Sequence, residues 1–344
     1  MIGLIRSLLN SIKKHTVDKL GTALLFLAIF AYSVTGFMYF ELQANPELSW
    51  NDSIWWSFVT MTTVGYGDLY PQTYYGRIFI GLPTMILGVS ILGYILSLLA
   101  STILEAKIKE IKGLKSVKLF DHIIICHFNS IEETLKLIHE IRKDQKTKDK
   151  EIVLIDAFLE ELPDELDQEN IFFVRGCPSR EDALYKANFT EASHIIIQAI
   201  TGDFEHSDHK NLAIALTIES LKSEVFTIVE CIKAENKRYF EHAQVDSIIC
   251  NSTLNSQLII QELQDPGVNQ VINELTSNEF GDQMYLSPIA TCKSIDEIKA
   301  KTPAQATFIG IRRGAQSHFS PSESFSVQER DLAIFIAESR PSLV

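Results

Sequence analysis

Basic residues are scarce, and that scarcity excludes one class of partner before any motif is read. Lys and Arg number 31 against 44 Asp and Glu, a formal charge of −13, so the chain has no excess of positive charge with which to hold a nucleic acid. Cysteine is equally sparse. Cys126, Cys177, Cys231, Cys250 and Cys292 form no CxxC pair and no regular spacing, which argues against a disulfide framework or a zinc site and fits core thiols in a reducing compartment. With Pro at 10 of 344 residues and charged residues at 22%, a collagen-like or proline-rich chain is excluded. What is present is 46% apolar residue content, enough for two or three folded units.

The charge is divided unevenly. Residues 1–118 carry ten Lys/Arg against seven Asp/Glu (net +3), and the rest carry 21 against 37 (net −16). Leu20 to Phe40 holds 21 residues without a charge, and Ile78 to Leu104 holds 27 more between Arg77 and Glu105. Each run exceeds the roughly 20 residues a helix needs to cross the hydrocarbon layer. Lys13, Lys14 and Lys19 precede the first span, and Lys107, Lys109, Lys112, Lys115 and Lys118 follow the second. The positive-inside rule places both termini in the cytoplasm. Residues 4–17 read as a short interfacial helix.

Between the spans, Ser49-Trp50-Asn51-Asp52 can cap a helix running to Thr62, with Ser49 or Asn51 satisfying its free N–H groups. About three turns long, it enters the membrane without crossing, and the negative end of its dipole faces the centre. Then comes Thr62-Thr63-Val64-Gly65-Tyr66-Gly67-Asp68. Gly65 and Gly67 permit the backbone angles that let successive carbonyls point one way. In this context the segment resembles the selectivity filter of potassium channels. The resemblance implies that Thr63, Val64, Gly65, Tyr66 and Gly67, from four chains, form oxygen cages for K⁺. It also implies a homotetramer in the lipid bilayer of a prokaryotic inner or plasma membrane. Thr62, Asp68 and an aromatic cuff of Trp55 and Trp56 support the filter, with the Trp56 indole expected to donate to Asp68. Some relatives pair the filter aspartate with a Glu where this chain has Val59. No Arg-rich voltage-sensing segment precedes the first span.

The second span should line the inner pore. The family's hinge glycine aligns with Leu87, one place before Gly88; Pro83 and Gly93 also lie within the span. A bend is expected at Gly88, and a constriction near Tyr94, Ser97 or Leu98.

Beyond Lys118, apolar runs at 122–126, 152–156, 171–174, 194–198, 225–230 and 247–250 alternate with helical patterns. Such alternation reads as a parallel Rossmann-like sheet. With Gly176-Cys177-Pro178-Ser179-Arg180 after the third run, this half resembles the RCK, or KTN, regulatory domain, followed by a smaller α+β lobe. The expected organisation is an N-terminal segment over 1–19 and a pore over 20–104, comprising spans 20–42 and 78–104, pore helix 50–62 and filter 63–67. A linker over 105–119, an RCK N-lobe over 120–251, a crossover and dimerisation region over 252–280 and a C-lobe over 281–344 complete it.

The ligand positions depart from the family. Where nucleotide binders have GxGxxG, this chain has His127-Phe128-Asn129-Ser130-Ile131-Glu132, with Glu132 at the helix start that would meet a phosphate. His127, Asn129, Asp156, Cys177 and Asp203 are the candidates for an adenine nucleotide or NAD. Asp156 reads equally as a ribose ligand or a turn-capping carboxylate. The three acids of calcium-gated relatives align with Cys177, Glu230 and Ile232, leaving one hard oxygen ligand. Asp203, Glu205, His206 and Asp208 offer an alternative divalent site or a solvated, helix-capping loop.

The leading reading is a ligand-gated K⁺ channel and not an enzyme. The alternatives are a regulatory or scaffold subunit of a K⁺ transport system, or a membrane-tethered NAD-dependent oxidoreductase. The resemblance further implies paired RCK domains, which additional soluble RCK subunits can complete to an eight-domain gating ring. No Met lies between Met85 and Met284, so an ordinary internal start would not supply those subunits.

Overall fold

The computed structural model describes residues 2–221, 224–279, 281–289, 292 and 294–341, and side chains from residue 21 onward. The expected lipid-facing side of residues 4–17 and the side chains of Lys13, Lys14 and Lys19 lie outside that description, as does Phe280 at the end of the expected crossover. The chain divides into two compact units, Met1–Lys107 and Ile108–Val344.

In the first unit α1 (Ile2–Glu41) is followed by the short α2 (Trp50–Met61) and then by α3 (Leu82–Ile111), which a π-helical turn over Gly76–Gly81 precedes. Gly21–Glu41 and Gly76–Ile111 are long and apolar enough to cross a membrane. The start of α2 is fixed by a capping box: Ser49 Oγ accepts from Asp52 N at 3.2 Å, and Asp52 Oδ2 accepts from Ser49 N at 2.9 Å. Of the two expected caps, Ser49 is the one used.

A chain of buried hydroxyls joins the three helices. Thr84 Oγ1 donates to Ser33 Oγ at 3.1 Å, Ser33 Oγ donates to Ser57 Oγ at 2.9 Å, and Ser53 Oγ donates to the Val34 carbonyl at 2.6 Å. In apolar surroundings such bonds fix helix register where hydrophobic burial cannot.

At Gly88, where a bend is expected, the helix is not interrupted. α3 continues as α-helix through Gly88 and Gly93, and its departure from α geometry is the turn over Gly76–Gly81. The cause is Pro83, which has no N–H to give the Phe79 carbonyl four residues earlier. The Tyr32 hydroxyl donates to that carbonyl instead, and Leu82 N reaches back five residues to Arg77 O. Gly88 serves packing: a Cβ there would stand 2.8 Å from Met61 Cα at the end of α2.

The second unit alternates strand and helix: β1 (His122–Cys126), α4 (Ile131–Lys143), β2 (Ile152–Asp156), α5 (Asp164–Gln168), β3 (Phe172–Arg175), α6 (Glu181–Lys186), β4 (Ala192–Ile197), α7 (Ser207–Ser220), β5 (Phe226–Cys231), α8 (Lys237–His242) and β6 (Ser247–Cys250). The six strands are parallel in the order β3-β2-β1-β4-β5-β6. Their apolar runs are continuous because helices cover both faces. Ile124, Val153 and Ile195 pack on one side, while Ile125, Ile152 and Leu154 pack on the other.

After the sheet come α9 (Asn251–Gln264) and α10 (Val268–Thr276), neither with a buried residue. Then β7 (Gln283–Pro288), α11 (Ile295–Lys301), β8 (Ala306–Arg313), β9 (Gln316–Phe319) and β10 (Leu332–Ala337) form an antiparallel sheet of order β7-β10-β8-β9 with α11 packed on it. Glu140 of α4 ties the lobes by accepting from Ser277 Oγ at 2.9 Å and Asn278 N at 2.5 Å.

The segment before β1 lies against the parallel-sheet lobe. Leu162 N donates to Ile111 O at 2.9 Å, Arg175 N to Gly113 O at 2.9 Å, and Val117 N to Lys186 O at 2.7 Å. Gly113 has φ +62°, and a Cβ there would press on Phe173 at 2.7 Å.

Candidate functional site

The first candidate site begins where α2 ends. Thr62 N donates to Phe58 O at 3.0 Å, Thr63 N to Thr60 O at 3.1 Å, and Val64 N to Val59 O at 3.0 Å. The segment after α2 thereby uses carbonyls that a helix C-terminus otherwise leaves open, and its base is rigidly joined to the short helix. Left-handed backbone then recurs at every second residue: Thr63 at φ +61°, Gly65 at +56° and Gly67 at +77°. Alternation of this kind re-aims successive peptide groups, and a β-branched residue held there, as at Thr63, marks a constrained position.

Trp55 braces the outer end. Its Nε1 donates to Asp68 Oδ2 at 2.9 Å, and its ring lies parallel to Tyr66 with centroids 5.8 Å apart. The donor expected at Trp56 is thus corrected to Trp55. Trp56 faces the other way, buried and stacked on Phe37 of α1 at 4.1 Å between centroids. Val59 is buried with no carboxylate in its place, so Asp68 is held by an indole instead. Further down α3, Tyr94 and Ser97 are exposed, and the side of Gly93 is open.

Glu41 is also explained. It is buried beside the second span's entry, where its carboxylate accepts from Gln72 N at 2.8 Å, Thr73 N at 3.2 Å and Thr73 Oγ1 at 2.6 Å.

The second candidate site lies in the other unit, at the carboxyl ends of the parallel strands, where the strand order reverses between β1 and β4. A cavity of about 570 Å³ there is bordered by His127 after β1, Phe158 after β2, Cys177 after β3, and Asp203, His206 and Lys210 around the start of α7. Asp203 accepts from Lys210 Nζ at 2.7 Å and from His206 Nδ1 at 2.9 Å. These two bonds, Lys210 first, hold its carboxyl down to about 2. Burial pushes His127 below the ordinary histidine value, with the Asp156 carboxylate partly opposing.

His127 has φ +77°, so the first position of the phosphate turn keeps a glycine-like conformation without a glycine. Behind it the turn is closed by the chain's own groups. Asp156 is buried and accepts from Phe128 N at 3.0 Å, Phe158 N at 2.7 Å and Leu159 N at 2.7 Å, the turn-capping role among its two expected readings. Asn129 is likewise engaged, its Nδ2 donating to Ala199 O at 2.8 Å and its Oδ1 accepting from Thr201 N at 2.9 Å. Ser130 caps α4, whose first turn carries Glu132 and Glu133, charges that oppose a phosphate.

The divalent candidates are separated rather than assembled. Glu230 accepts from Ala199 N at 2.7 Å. Asp208, buried, accepts from Ile232 N at 2.8 Å, Lys233 N at 3.0 Å and Asn236 Nδ2 at 2.7 Å, so it anchors α7 to the loop after β5. Glu205 is exposed. Among the described residues no three His, Cys, Asp or Glu side chains converge as a metal site, so neither Glu230 nor the separate set of Asp203, Glu205, His206 and Asp208 is part of such a cluster.

Of the sequence candidates, His127, Cys177, Asp203 and His206 border one cavity; Asn129 and Asp156 stand behind it as turn clamps. Lys210 and Phe158 were not anticipated. The i, i+3, i+7 spacing of Asp203, His206 and Lys210 was the available signal for Lys210, although Asp203 and His206 lie in the turn that leads into α7; Phe158 had none.

Comparison with known proteins gives two family matches, an ion-channel family over residues 24–105 and the calcium-activated potassium channel slowpoke-like RCK domain over residues 118–229. The chain is 24% identical to the calcium-gated potassium channel TvoK of Thermoplasma volcanium, covering 96% of this chain and 94% of that one. It is 28% identical to the putative potassium channel protein YugO of Bacillus subtilis, over 86% of this chain and 89% of that one. Among solved structures, the GsuK channel bound to NAD aligns with 94% of this chain at 18% identity and a TM-score of 0.46, and this chain spans 58% of its length.

Proposed function

We infer that this chain, a two-transmembrane K⁺-channel pore joined to an RCK domain, conducts K⁺ as a homotetramer whose opening is set by a ligand in the cytosolic cleft. The observation that carries this reading is the left-handed alternation at Thr63, Gly65 and Gly67, seated on the end of a capped half-helix. Around a fourfold axis the carbonyls of Thr63 to Tyr66 stand in for the water of a dehydrated K⁺. Ile54, Phe58, Val64 and Tyr66, exposed in one chain, gain neighbours in a tetramer. Leu254, Ile259, Ile260 and Leu263 of α9, exposed likewise, give the RCK domains an apolar face on which to pair, four domains forming a ring and soluble copies extending it to eight.

The regulatory ligand is an adenine nucleotide held away from the closed phosphate turn, with Phe158 as an aromatic platform and the cavity-lining His206, His209 and Lys210 as the basic groups for its phosphates, His206 and Lys210 turning from Asp203 to meet them. Purified protein in a planar bilayer tests the pore: reversal potentials under bi-ionic K⁺/Na⁺ conditions near zero would reject it. Equilibrium dialysis with ADP and with NAD tests the cleft, and failure of both to bind would reject the ligand while leaving the pore reading standing.

A further inference from the structure

We propose that Cys231 and Cys250 form a peroxide-responsive dithiol pair that closes to an intramolecular disulfide at the carboxyl end of the parallel sheet. They are the last residues of β5 and β6, and the register sets them directly opposite one another. Neighbouring strands run about 4.8 Å apart, within the roughly 4.4–6.8 Å between Cα atoms that disulfides span. Paired positions on neighbouring parallel strands point to the same face, so both thiols project from one side of the sheet. Both sit at strand ends, where a small inward movement of the chain meets least resistance from the ladder.

Their surroundings differ in a way that assigns an order. Cys250 immediately precedes α9, a helix of 14 residues, and its Sγ has Thr253 Oγ1 at 3.3 Å and Ser252 Oγ at 3.5 Å. Burial works against ionisation there, but the Ser252 and Thr253 hydrogen bonds outweigh it and hold the thiol below its ordinary value. Cys231 is fully buried, with Lys233 O at 3.1 Å and Asp208 Oδ2 at 3.8 Å from its Sγ. Burial first, and the Asp208 carboxylate second, push it up to about 12. Cys250, 8% exposed against 0% for Cys231, is the thiol that meets the oxidant, and Cys231 the one that resolves the product.

The chemistry balances with a hydroperoxide as oxidant. The Cys250 thiolate attacks the peroxide oxygen, the O–O bond breaks, and a sulfenic acid and hydroxide form. The Cys231 sulfur then displaces the sulfenic oxygen, which leaves as water with the Cys231 proton, and the S–S bond forms. Two thiols are oxidised by two electrons as one peroxide is reduced, and a cytosolic dithiol returns both. The bond would tie the start of α9 to the β5 end that Asp208 holds through Ile232 and Lys233. None of this depends on what the pore conducts or what the cleft binds.

The test uses the full-length chain in detergent with Cys177→Ser in place, since Cys177 is the exposed thiol. After hydrogen peroxide treatment, free thiols are alkylated under denaturing conditions and the peptides weighed. The peptides carrying Cys231 and Cys250 should be joined in the majority of chains, two hydrogens lighter than their sum, and separated again by dithiothreitol. Cys126 and Cys292 should remain alkylatable. With Cys231→Ser added, Cys250 should stop at a sulfenic acid trapped by a dimedone reagent, a readout that does not need the resolving thiol. Full alkylation of Cys231 and Cys250 after peroxide in the Cys177→Ser protein would overturn the proposal, as would Cys250 linked chiefly to another chain.

Discussion

Trp55 holds Asp68 and Tyr66 together: a 2.9 Å hydrogen bond to the carboxylate and a parallel ring face reach the chain on either side of Gly67, in the segment proposed as the filter. Trp55→Phe keeps the ring and removes the donor, a loss of about 1 kcal/mol for a partly exposed charge-assisted bond. K⁺ preference should survive, but currents should decay faster when external K⁺ is lowered. Trp56→Phe should act on assembly and folding instead, through its stack on Phe37. Identical decay in wild type and Trp55→Phe would show that the bond does not brace the filter.

The acidic residues outside the filter divide by role. Glu41 and Asp52 are engaged with backbone groups, whereas Glu47 is exposed. Glu47→Gln should lower inward conductance at low salt and have little effect at high salt, as screening predicts. Glu41→Gln should reduce the yield of assembled protein at any salt, because its partners Gln72 and Thr73 lose a charged acceptor. Size-exclusion profiles and conductance across an ionic-strength series separate the two.

Gly88 and Gly93 make opposite demands. Gly88→Ala would force a methyl to 2.8 Å from Met61 Cα, and overpacking of this kind costs about 1–3 kcal/mol. Gly93→Ala meets open space and should leave thermal stability within a few degrees of wild type. Matching losses in both variants would contradict the packing role given to Gly88.

Acid should destabilise the cytosolic unit through its histidines. His122, His127 and His194 are each held below their ordinary value of 6.5, chiefly by burial. The unfolded chain then binds more protons than the folded one once pH falls through about 6.5, so stability is full above that value and declines below it. Asp203, held down to about 2, adds a loss only as pH falls below 3.8. Urea midpoints measured from pH 8 to pH 5 should be level at the upper end and fall at the lower, and His122→Gln should flatten the fall.

The sheet was readable because strands such as His122–Cys126 and Ile152–Asp156 carry unbroken apolar stretches, Ile123–Cys126 and Ile152–Ile155, a pattern that both-sided burial imposes. Gln316–Phe319 was not readable, since it has only one apolar residue and owes its strand geometry to pairing with β8. The π turn escaped because its cause is shared between Pro83 and Tyr32, residues 51 apart in sequence. Asn129 and Asp156 looked like ligand residues because their type and position are those of a nucleotide site. Only folding brings Ala199 and Thr201 to Asn129, and Phe128 to Asp156, and so uses up their polar groups.

The docked segment from Ile111 to Val117 changes what counts as slack. Three backbone bonds pin it to Leu162, Arg175 and Lys186, so it behaves as part of the sheet lobe and has no free length to stretch. Residues inserted between Gly113 and Val117 would bulge from the lobe and leave the backbone bonds on either side in place.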